Sequence, residues 1–89
     1  MIVPFHPGVY LREELETRGL TQSDFARQIS RPEQAISEIV CGKKRITADT
    51  ALDVASALGT SAELWMHLQA TWDLHEARQR RLPPEEEQS

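Results

Sequence analysis

The chain has little of what most catalytic or stapled small proteins need. It holds one cysteine, so it cannot form an internal disulfide, and that fits a reducing compartment. There is no CxxC pair. His6, His67 and His75 lack the i, i+4 spacing that two ligands on a helix need, so no metal site is expected. No glycine-rich phosphate loop and no nucleophile with a nearby base can be found, which leaves no enzymatic activity and no cofactor to expect. Uninterrupted apolar runs are short, and the opening MIVPFHPG has no basic segment followed by a hydrophobic one. Neither a secretion signal nor a membrane span is expected, and the cytoplasm is the expected location.

Positive charge is also scarce overall, with a formal net charge of −4 over 89 residues. Its distribution is uneven. From Thr21 to Thr47 five basic residues face three acidic ones, a local +2, so the remainder carries −6. Phosphate binding needs local positive charge, because neutralised phosphates release condensed counterions. The composition, 39% hydrophobic and 27% charged, fits one small globular domain. A core that small is commonly reinforced by self-association.

The stretch TQSDFARQISRPEQAISEIVCGKKR, Thr21 to Arg45, organises the rest. Thr21 is a helix N-cap, and Phe25 and Ile29 share a face one turn apart, beside the small Ala26. Ser30-Arg31-Pro32 interrupts the pattern, since proline disfavours helix in the residue before it. A second helix is expected from about Pro32 to Val40, with Ile36 and Ile39 inward and Gly42 ending it. Its outer face carries Glu33, Gln34, Ser37 and Glu38, and Lys43, Lys44 and Arg45 follow. Two crossed helices, the second with a polar outer face, make a helix-turn-helix.

Gln22, Ala26, Ile36 and Ile39 stand where the Xre (Cro and phage-repressor) helix-turn-helix family has them. The strings HPGVYLREELETRGLTQ and ISEIVCGKKRITADTALDVASALGTSAELWMHLQ resemble the HigA antitoxins of HigBA toxin–antitoxin modules, over roughly Phe5 to Leu74. Ser30 departs from the glycine usual at the turn, and Arg31 from the usual apolar residue, which leaves the turn geometry open. The resemblance implies an antitoxin that binds operator DNA as a dimer, represses its own operon and neutralises a RelE-like, mRNA-cleaving HigB toxin. A stand-alone Xre-type regulator shares the DNA surface without the toxin. A protein-binding module that has lost DNA affinity is a third reading, supported by Glu33 and Glu38, which phosphate repels.

The expected fold is all-α, a five-helix Xre-like domain over residues 8–81, with an N-terminal arm at 1–7 and a disordered tail at 82–89. His6-Pro7-Gly8 reads as a turn before a first helix, Val9 to Arg18, and Leu20 as a core plug. The acids Glu13, Glu14 and Glu16 form a solvated face and the candidate toxin contact. Thr47 caps a fourth helix, whose stripe is Ala51, Val54, Ala55 and Leu58. Thr60 and Glu63 read as a capping box opening the fifth helix.

On that helix Leu64, Trp65, Leu68 and Trp72 share one arc, while Met66, Ala70 and Leu74 form a second stripe. The second stripe is the expected homodimer interface. In the DNA-reading role, Gln34, Ser37 and Glu33 are expected to contact bases. Thr21, Gln22, Arg31, Lys43, Lys44 and Arg45 are expected to contact phosphates. A two-fold dimer would then recognise an inverted repeat. Cys41 reads as a small half-buried residue rather than a redox sensor.

Overall fold

A computed structural model describes residues 4–82, and within them the chain is five α-helices. They are α1 (Pro7–Arg18), α2 (Gln22–Gln28), α3 (Glu33–Val40), α4 (Ala48–Leu58) and α5 (Ala62–Arg80). The expected all-α, five-helix architecture is therefore the observed one. Most of the proposed tail, and residues 1–3 of the arm, lie outside the described residues. No helix among the described residues is long and apolar enough to cross a membrane.

The core is contributed by every helix. Leu11, Phe25, Ile36, Ala51, Val54 and Trp65 are fully or almost fully buried, and Leu15, Ile39 and Leu58 nearly so. Each large apolar side chain taken from water contributes about 1.5–3 kcal/mol. The α4 stripe is buried as expected, and Leu20 and Ile29 pack at the margin of the cluster. The Trp65 ring lies 5.2 Å from that of Tyr10, and its indole N–H donates to Thr60 Oγ1 at 2.8 Å, so its polar atom is satisfied.

Helix α1 begins two residues earlier than its sequence suggests. His6 is its N-cap: Nδ1 accepts the Gly8 N–H at 2.9 Å, and Pro7 takes the first helical position, where a missing N–H costs nothing. Gly8 is needed for packing rather than for a turn. A Cβ there would stand 1.9 Å from the Ile39 carbonyl oxygen, so the start of α1 lies directly against the backbone of α3.

Helix α5 starts differently from the expected box. Ser61, not Thr60, is the N-cap, its hydroxyl accepting the Leu64 N–H at 3.1 Å. Thr60 is taken instead by the Trp65 indole. The inward face of α5 is also rotated from the expected arc: Trp65 and Gln69 are buried, whereas Leu64, Leu68 and Trp72 are only half-buried. Glu14 leaves the solvated acidic face, pairing with Arg18 at 3.3 Å. Arg18 Nη2 in turn donates to the Leu58 carbonyl at 2.8 Å, tying α1 to the end of α4.

Candidate nucleic-acid interface

Thr21 opens α2 through a complete capping box. Its hydroxyl accepts the Asp24 N–H at 3.0 Å, and the Asp24 carboxylate reaches back to the Thr21 N–H at 3.4 Å. Thr21 is exposed and Gln22 half-buried, which leaves this helix end accessible. Between α2 and α3 the turn takes four residues, Ile29 to Pro32. Ser30 adopts the left-handed conformation, φ 56°, and so does what glycine usually does there at some steric cost. The Arg31 N–H bonds to the Ala26 carbonyl at 2.9 Å, closing the turn against α2. Pro32 sits one residue before α3 as its N-cap.

Phe25 and Ala26 on α2, with Ile36, Ile39 and Val40 on α3, bury the inner faces of the pair. The outer face of α3 stays open: Glu33 and Gln34 are exposed and Ser37 is half-buried. The helix ends at Cys41, and Gly42 reverses the chain with φ 79°. The Lys43 and Lys44 N–H groups both donate to the Glu38 carbonyl, at 2.8 and 3.2 Å, folding the cationic loop back onto α3. Cys41 itself is exposed rather than half-buried, because the capping position points its side chain away from the core.

The expected phosphate-binding cations are not equally available. Arg31 donates through Nε and Nη2 to the Asp53 carboxylate of α4, at 3.0 and 2.7 Å. This pair occupies the position where an apolar residue is usual. Lys44 Nζ lies 3.5 Å from Glu38, and the Arg45 guanidinium is bonded to Asp73 of α5. Lys43 forms no salt bridge among the described residues.

One residue at this site carries no recognisable sequence signal. Gln69 is 1% exposed, in the middle of α5. Its Oε1 accepts the Ile46 N–H at 2.7 Å, and its Nε2 donates to Asp73 Oδ1 at 2.9 Å. Read linearly, a glutamine on an amphipathic helix belongs to the solvent face. Here it satisfies a buried backbone donor just after the cationic loop and orients the carboxylate that holds Arg45. Burial alone would push the Asp73 carboxyl up. Hydrogen bonds from Arg45 and Gln69, with the charges of Arg45 and His6, outweigh it and hold the group below the usual carboxylate range.

The expected dimer stripe is divided. Met66 is half-buried and packs against the core, whereas Ala70 is exposed and Leu74 is 53% exposed. Of the acids offered to a toxin, Glu13 and Glu16 are exposed, while Glu14 is half-buried in its pair with Arg18.

The profile of the helix-turn-helix family HTH_3 matches residues 11–65, which contain α1 from Leu11 through α4 and the start of α5. The chain belongs to the Xre helix-turn-helix family. Virulence-associated protein I of Dichelobacter nodosus is 40% identical over 75 residues, covering 83% of this chain and 69% of that protein. Antitoxin HigA-1 of Vibrio cholerae is 32% identical over 78 residues, covering 86% and 73%. The Pseudomonas aeruginosa antitoxin HigA, solved with the higBA promoter, superposes with a TM-score of 0.81 at 30% identity, covering 92% of this chain and 98% of that one. The resemblance to HigA antitoxins is thus matched in both sequence and fold. The Xre family is a DNA-binding one without enzymatic activity.

Proposed function

We propose that this chain is a cytoplasmic HigA-type antitoxin that binds operator DNA through α3 as a dimer, represses its own operon and neutralises a RelE-like HigB toxin. The observation that carries the reading is the open outer face of α3 on a helix-turn-helix that superposes on a HigA solved with its promoter. Gln34 and Ser37, with Glu33 at the edge, read bases. Glutamine can pair bidentately with adenine, and glutamate can accept from the cytosine amino group. The amino end of α2 at Thr21 and Gln22 offers backbone N–H groups to phosphate, and Arg31, Lys43, Lys44 and Arg45 supply charge. A dimer through α5 places two α3 helices on an inverted repeat, with half-sites ~34–36 Å apart or a multiple of that.

A toxin that handles RNA needs a basic surface, and the −6 carried outside Thr21–Thr47 complements one. Glu13 and Glu16, exposed on α1, are the contact proposed, with Glu14 beside them. This face lies on the folded domain, so one complex can hold toxin and DNA together. Co-expression with the product of the adjacent gene tests it, using the full chain and a chain ending at Leu82. Both should co-purify with the toxin and both should bind the promoter. Loss of toxin binding on truncation would move neutralisation to the tail. Promoter binding without toxin binding by either chain would leave a stand-alone regulator.

A further inference from the structure

Three of the cations proposed to meet phosphate are already matched by carboxylates of this same chain, and two of those carboxylates come from helices outside the DNA-reading pair. Asp53 on α4 takes two hydrogen bonds from Arg31. Asp73 on α5 takes the Arg45 guanidinium, and is itself aimed by the buried Gln69. The Asp73 arrangement is built rather than incidental. The amide of Gln69 is fixed at its other end by the Ile46 N–H, so neither Gln69 nor the carboxylate it holds can swing away cheaply. A surface ion pair standing alone contributes little, but a buried polar anchor behind it fixes its geometry.

We infer that Asp53 and Asp73 act as internal counter-charges that occupy Arg31 and Arg45 in place of phosphate and so hold down sequence-independent DNA affinity. The inference rests on the DNA-binding reading above. A cation already neutralised by a carboxylate releases no condensed counterion when a phosphate approaches, so it adds nothing to the electrostatic term that dominates non-specific binding. To use Arg45, a phosphate must displace Asp73, which only a well-placed phosphate in a correctly docked complex can do. Acidic residues at the margin of a DNA surface thereby become determinants of how selective that surface is.

The test is the salt dependence of binding to random-sequence duplex, measured on the full chain for wild type, Asp73→Asn and Asp53→Asn, with thermal melts confirming that each is folded. Asparagine keeps the size and one acceptor oxygen, removes the charge, and puts a donor NH2 in place of the other oxygen. Each variant should bind random duplex more tightly, and the slope of log K against log salt should steepen by about 0.9, one additional released counterion. Arg45→Gln added to Asp73→Asn should then return the slope to the wild-type value. If Asp73 merely braces the loop, its replacement will weaken binding or leave the slope alone, and the inference is wrong. Should an aspartate variant be unfolded, the same cycle run with Asp73→Ser and Arg45→Gln decides it by the same slopes. Wild-type binding with unchanged variant slopes overturns this inference alone. Failure of wild type and variants alike to bind any duplex overturns the DNA-binding reading as well.

Discussion

Single residues at the start of α1 carry more of the architecture than their place in the sequence suggests. Gly8 has no room for a side chain, because its missing Cβ leaves space for the Ile39 carbonyl of α3. Gly8→Ala should therefore cost about 1–3 kcal/mol, the usual penalty for forcing atoms into a packed contact, and denaturant melts would measure it. An unchanged midpoint would mean that the two backbones can separate freely. His6 makes a second case. Burial holds its imidazole below the ordinary pKa of 6.5, against the upward pulls of the Lys44 backbone, Asp73 and Glu76.

Only neutral His6 can accept the Gly8 N–H at Nδ1, so the cap and the burial favour the same protonation state. A histidine depressed in the folded state binds fewer protons there than in the unfolded chain. Its contribution is complete above pH 6.5 and is lost as pH falls from there through the folded value. Stability should thus decline between neutral and mildly acidic pH. His6→Asn, which keeps a good N-cap and cannot titrate, should flatten that decline. Melts of the two proteins across that range check it, and parallel curves would place the titration elsewhere.

Among the elements, α3 and the loop behind it divide the proposed labour between reading and holding. Gln34 stands exposed on α3 with no internal hydrogen bond among the described residues, so its amide is free to pair with a base edge. Gln34→Ala should cost roughly 1–3 kcal/mol on the operator and little on random duplex. Lys44 belongs to the other class. Its pair with Glu38 is a single 3.5 Å contact, and the Lys44 end of it is 65% exposed, so it is weak enough to yield to phosphate. Lys44→Ala should weaken all sequences alike and lower the salt slope by about one. Titrations of both variants on operator and random duplex separate the roles, and equal losses on both for Gln34→Ala would refute base reading. The α2–α3 turn shows the same economy: Ser30 accepts a left-handed backbone, and Arg31 pairs with Asp53 where an apolar residue is usual.

At the level of the whole molecule, α5 is 19 residues long but buries only part of its length. Its inner face is fixed by Trp65 and Gln69, and Ala70 and Leu74 look outward. A second copy of the chain is the proposed cover, and Ala70 and Leu74 are the residues to test, since charge at Met66 would also disturb the core. Replacing both by glutamate should yield folded monomers in solution, measured by light scattering. A mass unchanged from wild type would exclude this face as the interface.

The sequence by itself determined the number and approximate span of the helices, through local chemistry: Thr21 and Thr47 as caps, Gly19 and Gly59 as left-handed stops, and the 51-54-55-58 stripe of α4. It also placed the outward face of α3, since the inward one is fixed by Ile36 and Ile39. Tertiary structure alone decided which polar residues are enclosed and which cations are already paired. Gln69 is buried because the backbone at Ile46, 23 residues away, needs an acceptor. Arg31 and Arg45 meet Asp53 and Asp73 across 22 and 28 residues. The Thr60 hydroxyl accepts the Trp65 indole N–H, a partner five residues on, and Ser61 caps α5. Periodicity and capping are written in neighbouring residues and can be read there. Pairings between segments depend on how helices cross, which no local pattern states.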